Sequence, residues 1–222
     1  MMEAPFMYDT EEMKAVESFI SECFGEFSMV FHEIASPDIH VDICLIAPNP
    51  QEGRDFYTLV TMGMGAYRMN VPEELAEYKL ERAELLIRLP ADWRMEQEAF
   101  SDECWYWPIR LLKMVARLPL QEESWIGWGH TVQEEDAGCY AENTKLCGCM
   151  LTGADAFDED TYCCELPNGE EVNFYQVMPL YKEEVEFKLA HDAGELLERF
   201  PEELAQVVDI SRPNVITDAP LF

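Results

Sequence analysis

His40 and Asp42 stand two residues apart in HVDICLIA, a stretch that alternates as a strand does, so their side chains share a face. His130 follows a Gly-Trp-Gly turn, and Ser101, Asp102, Cys104 and Ser124 add hydroxyl, carboxyl and thiol groups in nearby chain. A nucleophile, a histidine base and an orienting carboxylate are the working parts of a hydrolase. His40, Asp42 and His130 are the set this sequence offers for that chemistry. No serine sits in a Gly-x-Ser-x-Gly elbow, however, and none of the local cysteine-nucleophile signatures is present. A partly buried histidine with one hydrogen-bond partner explains these residues as well. That plainer reading is preferred, and no catalytic residue is assigned.

Metal and redox chemistry would fall to the cysteines. There are eight: Cys23, Cys44, Cys104, Cys139, Cys147, Cys149, Cys163 and Cys164. Cys147-x-Cys149 and Cys163-Cys164 could meet if their strands pair. Neither has the Cys-x-x-Cys spacing that wraps a zinc ion, and on a strand Cys163 and Cys164 point to opposite faces. Packing as small apolar side chains is the expectation. The acidic runs Glu73-Glu74, Glu122-Glu123, Glu134-Glu135-Asp136, Asp158-Glu159-Asp160 and Glu183-Glu184 read as solvated loops. Asp155 to Asp160 lacks the ligand spacing and closing glutamate of a calcium loop. The glycine-bearing Gly63-Met64-Gly65 lacks the Gly-Lys-Ser/Thr ending of a phosphate loop. No cofactor and no metal are expected.

One stretch, Trp105–His130, must position whatever site exists. It holds four of the five tryptophans, a strongly apolar helix and the Gly-Trp-Gly turn. Trp107-Pro108 is expected to open that helix, since proline costs nothing in a first turn, and Pro119 to end it. Leu111, Leu112, Met114, Val115 and Leu118 are candidates for its buried side. Trp107, Leu111, Val115 and Trp128 are expected to form the core of the stretch. Arg110, Lys113 and Arg117, three and four apart, share the opposite face. They could receive an acidic partner segment or pair with the chain's own excess of acids. Together with Trp128 and His130 they are the candidate partner-binding residues.

The rest of the chain reads as elements around this spine. Residues 9–24 form an amphipathic helix with an Asp9–Glu12 capping box and a stop at Gly25. Ser28–Ile34, His40–Ala47, Phe56–Met62 and Arg82–Leu89 are strand candidates, the middle two an antiparallel hairpin. Residues 94–106 read as a polar link. Leu146–Leu151, Tyr162–Leu166 and Glu171–Met178 are further strands, the last two joined at Pro167-Asn168-Gly169. Residues 181–190 and 192–207 read as helices, separated at Gly194 and Pro201, before an irregular tail. Helix, strands, helix, strands, helices point to an α+β fold with a mixed, mostly antiparallel sheet packed by helices. One domain spanning 1–222 is expected, its core at about 28–190.

Composition bounds the partners. At 48% hydrophobic and 12% aromatic, the 222 residues suffice for a packed core. Forty-five acids against fifteen bases give a formal charge of −30, which repels phosphate backbones and disfavours nucleic acid. No apolar run is long enough for a membrane span, and the N-terminus has no secretory signature. A cytoplasmic protein with reduced thiols is expected. The charge is explained by solubility or a high-salt habitat, or by a basic protein partner steered in by the field.

Read in order, a set of short motifs resembles the suppressor-of-fused domain family. They begin with His32-Glu33-Ile34, His40-Val41-Asp42-Ile43, Tyr57-Thr58-Leu59-Val60-Thr61-Met62-Gly63-Met64 and Met69-Asn70-Val71-Pro72. Arg82-Ala83-Glu84-Leu85, Leu89-Pro90-Ala91-Asp92-Trp93, Trp107-Pro108-Ile109-Arg110 and Trp128-Gly129-His130-Thr131 follow. Leu166-Pro167-Asn168-Gly169, Val172-Asn173-Phe174-Tyr175-Gln176 and Pro179-Leu180-Tyr181 complete the set, which covers roughly residues 28 to 190. The resemblance implies a binding domain rather than an enzyme. The animal member resembles a sequestering partner of a zinc-finger transcription factor, held by β-strand addition between two domains. Stand-alone bacterial members resemble immunity proteins that neutralise toxins of polymorphic toxin systems. This chain corresponds to one such domain, which implies the bacterial type of role and a basic toxin domain as partner. The family supplies no catalytic residue to carry over.

Overall fold

The computed structural model describes residues 4–133, 138–154 and 162–218. The runs Glu134-Glu135-Asp136 and Asp158-Glu159-Asp160, and the stretch tested for a calcium loop, therefore lie outside the described residues. The fold is α+β. In chain order the elements are α1 (Thr10–Phe24), β1 (Met29–Phe31), β2 (Asp42–Ile46), β3 (Phe56–Met62), β4 (Ala83–Pro90), α2 (Glu103–Gln121), β5 (Thr131–Val132), β6 (Gly148–Gly153), β7 (Cys163–Glu165), β8 (Glu171–Leu180), α3 (Lys182–Ala190), α4 (Ala193–Leu197) and α5 (Glu202–Gln206).

One sheet runs in the order β1-β2-β3-β4-β8-β6-β5, with β7 also on β8. Every pair is antiparallel except β4–β8, which is parallel from Ala83↔Asn173 to Leu86↔Gln176. β2 is buried at all five positions because helices cover both faces of the sheet. On one face Ile43, Leu59, Leu85, Ile87, Val177 and Leu151 pack against Trp107, Leu111 and Val115 of α2. On the other, Cys44, Val60, Leu86 and Phe174 meet Val16 and Ile20 of α1. Farther along that second face Met150, Met178 and Leu180 meet Val185 of α3 and Leu196 of α4.

α1 forms as its sequence requires. Asp9 accepts from the Glu11 and Glu12 amides, and Glu12 reaches back to the Asp9 amide. α2 differs from expectation at both ends. It begins at Glu103 on the cap Asp102, which accepts from Cys104 N–H at 2.9 Å, and it continues past Pro119 to Gln121. Pro108 is therefore inside the helix, where its missing N–H leaves the Cys104 carbonyl without a helical donor. The Asn143 side-chain amide supplies that donor at 3.2 Å. The helices expected at 181–190 and 192–207 appear as α3 and as the short pair α4 and α5; Gly194 lies inside α4 rather than at a break, and Asp192 caps α4 by accepting from Glu195 N–H.

Two buried glutamates tie the ends of the chain to the sheet. Glu84 accepts from Tyr8 Oη (2.8 Å), Thr61 Oγ1 (2.5 Å) and the Gly63 and Gly65 amides (2.8 and 3.1 Å). Burial raises its carboxyl pKa, and those four donors oppose the rise. Glu184 is instead held bidentately by Arg212, at 2.6 and 2.5 Å, with Tyr181 N–H and Val215 N–H completing its shell. The tail also fills the gap where the parallel pair ends. Val208 N–H donates to the Arg88 carbonyl, and Gln176 Nε2 to the carbonyls of Ala205 and Gln206.

Candidate partner-binding site

The Gly-Trp-Gly turn at the end of the central stretch is built against β6. Gly129 N–H donates to Leu151 O at 2.7 Å, Leu151 N–H to His130 O at 2.9 Å, and His130 N–H to Gly127 O at 3.0 Å. Gly129 takes φ +78 and lies 3.3 Å, measured from an ideal Cβ, from the Ala193 methyl at the start of α4, so a side chain would be both strained and crowded. The His130 ring packs on Trp125 with centroids 4.4 Å apart. Burial, and then Lys188, lower the His130 pKa. This fixed turn holds Trp128 outward, 55% exposed. Trp128 therefore leaves the expected core set. Trp107, Leu111 and Val115 are fully buried, and Trp107 stacks on Tyr140 with centroids 5.1 Å apart and planes at 6°. Trp128 sits between the two glycines of the turn in place of a helical face, and more than half of it is exposed.

Beneath Trp128 is a cleft of about 590 Å³. Tyr162, Tyr175 and Met178 come from the sheet side, and Leu197 and Phe200 from α4 and its exit. Its polar floor is fixed in advance. Arg88 Nη1 donates to Gln176 Oε1 at 2.7 Å and Nη2 to Ala154 O at 2.7 Å. Phe200 is backed by the Arg212 guanidinium, 4.8 Å from its ring centroid, which links the wall of the cleft to the Glu184 pair. Apolar walls with a few pre-placed polar groups are the make-up of a binding site for an apolar anchor. Tyrosine and tryptophan there supply contact area at low entropy cost, with a polar tip that can hydrogen-bond.

The basic stripe has a different outcome. Arg117 is only 13% exposed in its side chain; it donates to both oxygens of Glu33 at 2.7 Å, to Asp38 at 3.1 Å and to the Lys113 and Ile39 carbonyls. Lys113 lies 3.7 Å from Glu33. Arg110 pairs with Glu103 at 3.0 Å and donates to Tyr140 O at 2.9 Å, with nearly half of its side chain still exposed. Burial pushes the Glu33 carboxyl up, but Ser36, the Val41 amide, Arg117 and Lys113 outweigh it and hold it below the usual carboxylate range. Of the two uses open to the stripe, internal pairing is the one the structure displays.

The hydrolase set is not assembled. His40 sits at the entry to β2 and His130 at the entry to β5, with β3, β4, β8 and β6 between them. At the usual strand spacing that is about 24 Å. His40 Nε2 lies 3.1 Å from Asp42 Oδ1 and its Nδ1 2.8 Å from Ser36 Oγ, while His32 Nδ1 lies 2.8 Å from Asp42 Oδ2. Ser36, which the sequence reading did not single out, donates in turn to Glu33 Oε2 at 2.7 Å. The result is a hydrogen-bonded chain from Asp42 through His40 and Ser36 to Glu33 and Arg117, tying loop 32–40 to β2 and α2.

The four cysteines considered for zinc also part company. Cys149 lies in the core beneath α2, Cys164 in the core beneath α1, and Cys163 donates to Glu171 at 3.4 Å. Burial pushes the thiols of Cys149 and Cys163 up to about 12 and of Cys164 to about 11, which disfavours the thiolate that zinc requires.

The walls of the cleft, other than Trp128, were missed by sequence reasoning. Tyr162, Tyr175, Leu197 and Phe200 converge from β7's approach, β8 and the α4 exit. The only available signal was their aromatic and apolar character, which they share with ordinary core.

The comparisons with known proteins agree with this fold. The profile of the family described as Suppressor of fused protein (SUFU) matches residues 37–213. The uncharacterized protein UU111 of Ureaplasma parvum serovar 3 is 22% identical over 214 residues, spanning 95% of this chain and 98% of that protein. Among solved structures, a SUFU homolog from Neisseria gonorrhoeae FA 1090 superposes with a TM-score of 0.64 at 17% identity, covering 94% of this chain and 98% of the other. A chain of the Sufu–Fu complex gives 0.61 at 14% identity, covering 96% and 93%. Drosophila Suppressor of Fused gives 0.57 at 14%, covering 97% of this chain and 54% of that one.

Proposed function

Because this chain belongs to the suppressor of fused family, we propose that it is a non-enzymatic, intracellular protein-binding domain that neutralises a basic toxin domain, its partner docking at the Trp128 cleft. The observation that carries the reading is the cleft itself. An exposed tryptophan on a rigid turn overhangs a preformed apolar hollow, the composition found at the energetic centre of protein interfaces. The Sufu–Fu complex is a relative bound to a protein partner, which supports the class of ligand. The charge of −30 suits a basic partner, since it accelerates encounter and excludes acidic competitors. The resemblance to stand-alone bacterial members is what suggests immunity within a polymorphic toxin system. In this reading Trp128 is the anchor, His130 holds its turn, and Arg110 is the member of the basic stripe left to meet an acidic group on the partner's rim. Lys113 and Arg117 support α2 rather than touch the partner.

The test is co-expression with the toxin domain encoded beside this gene. Growth rescue and co-purification are expected, with affinity falling as salt rises. Absence of any complex with that protein overturns the immunity reading. Undiminished binding by Trp128→Ala overturns the placement of the interface.

A further inference from the structure

The geometry points to Cys139 and Cys147 as a dithiol that closes reversibly to a disulfide by exchange with small-molecule disulfides. Tyr140 N–H donates to Leu146 O at 2.9 Å, and Thr144 N–H to Ala141 O at 3.3 Å, so the chain reverses between them. With Tyr140 hydrogen-bonded to Leu146 across this turn, Cys139 and Cys147 flank its two ends, and the Cys139 thiol is close enough to perturb that of Cys147. A disulfide needs Cα atoms within ~4.4–6.8 Å of each other, a separation open to two residues at the ends of a closed turn. Both side chains line one pocket of about 110 Å³, together with Arg110, Met114 and Gln133. Cys139 is exposed and Cys147 is buried behind it, accepting a hydrogen bond from Gln133 Nε2 at 3.5 Å. Burial raises the Cys147 thiol, Gln133 opposes that rise, and the neighbouring Cys139 adds to it.

This arrangement divides the labour of exchange. The Cys139 thiolate, the accessible one, attacks one sulfur of glutathione disulfide and expels one glutathione thiolate, leaving a mixed disulfide on Cys139. The Cys147 thiolate then attacks the Cys139 sulfur, breaks the mixed disulfide and releases the second glutathione thiolate. The two cysteines together lose two electrons and two protons, and glutathione disulfide gains both as two thiols. Because Cys147 must deprotonate for the second step, closure is faster at higher pH.

Among the other cysteines, Cys44 and Cys149 are buried, Cys104 is in contact with the α2 cap Asp102 and Cys163 donates to Glu171; Cys23 neighbours the buried Cys164 but reaches it from α1 to β7, with no closed turn joining the two. The dithiol lies beside Arg110 at the β5 edge of the sheet, outside the Trp128 cleft, and its test reads the thiols alone, so it stands or falls whether or not the proposed partner binds.

The full chain is incubated with glutathione disulfide, unreacted thiols are alkylated, and the protein is digested and mapped by mass spectrometry at several pH values. The expected product is a Cys139–Cys147 crosslink, formed faster as pH rises and reversed by dithiothreitol. In Cys147→Ser the reaction stops at a glutathione adduct on Cys139, and Cys149→Ser still closes the crosslink. Should Cys147→Ser fold poorly, the exposed Cys139→Ser variant gives the same decision by abolishing the crosslink. A persistent glutathione adduct on Cys139 of the unaltered protein, or a crosslink through another cysteine, overturns the inference.

Discussion

At the C-terminal half of α2, Arg117 directs its guanidinium donors into the molecule, toward Glu33, Asp38 and two carbonyls. A little farther along the same stretch, Trp128 leaves more than half of its surface in solvent above a hollow lined by apolar groups. Both residues were candidates for a partner, and the physical setting separates them. In a chain where acids outnumber bases three to one, a cation finds an internal carboxylate, and its desolvation is repaid at once. A large aromatic held out by a glycine turn has no such internal outlet. That is why the proposed interface is placed on an exposed aromatic with a rigid support rather than on the charges of α2.

The comparison can be broken most forcefully where the cleft meets the buried charge. Arg212→Ala strands Glu184 without its bidentate partner and removes the support of Phe200. A loss of about 3–5 kcal/mol is expected in chemical denaturation, with partner binding weakened because a wall of the cleft moves. Arg117→Ala removes one partner from a pair that is 13% and 11% exposed in its side chains. It should cost about 2–3 kcal/mol in the same measurement, discounted from the fully buried case. Partner affinity should be unchanged, and a matching loss of affinity would place the stripe at the interface after all. Trp128→Ala should reverse the pattern. Stability should stay within ~0.5 kcal/mol, the usual range for an exposed site, while affinity measured by calorimetry falls at least about tenfold.

Acidity gives a finer contrast. Glu33 has a folded pKa below its unfolded one, so its stabilisation is present above the ordinary glutamate range and is lost as pH falls through the folded value. His130 has a folded pKa below the usual imidazole value, so its contribution is present above that value and is lost as pH falls below it. Denaturation midpoints followed from pH 8 to pH 3 should show a small early loss that disappears in His130→Asn. The later loss should persist in that variant and shrink in Glu33→Gln.

Much of the frame was legible in the sequence because its signals are local. Phe56–Met62 is a run of aromatic, β-branched and apolar residues between two glycine-bearing turns, Asp9 and Glu12 close a cap within one turn, and Pro167-Asn168-Gly169 turns with Gly169 at φ +82. The start of α2 was not legible, because Pro108 looks like an opening and the true cap, Asp102, lies in a stretch that reads as a polar link. What makes an interior proline tolerable is a side chain, Asn143, that arrives from a distant loop. The site was half legible for the same reason. Trp128 announces itself by its glycine neighbours, whereas Tyr162, Tyr175 and Phe200 become a wall only once β8, the approach to β7 and the α4 exit have assembled. The shielding of Arg117 likewise depends on Glu33 and Asp38, which periodicity along α2 cannot see.

The single parallel pairing at the middle of the sheet has a consequence for synthesis. β4 is joined on one side by β3, its near neighbour in sequence, and on the other by β8, whose first partner residue follows about ninety positions later. At ~5–20 residues per second, the nascent chain carries a four-stranded meander with an open β4 edge for on the order of ten seconds. Over that interval Leu85, Leu86 and Ile87, all buried in the finished protein, await their covering strand. That open edge on the ribosome, more than any surface of the mature protein, is where a chaperone or a second nascent copy would have its opportunity.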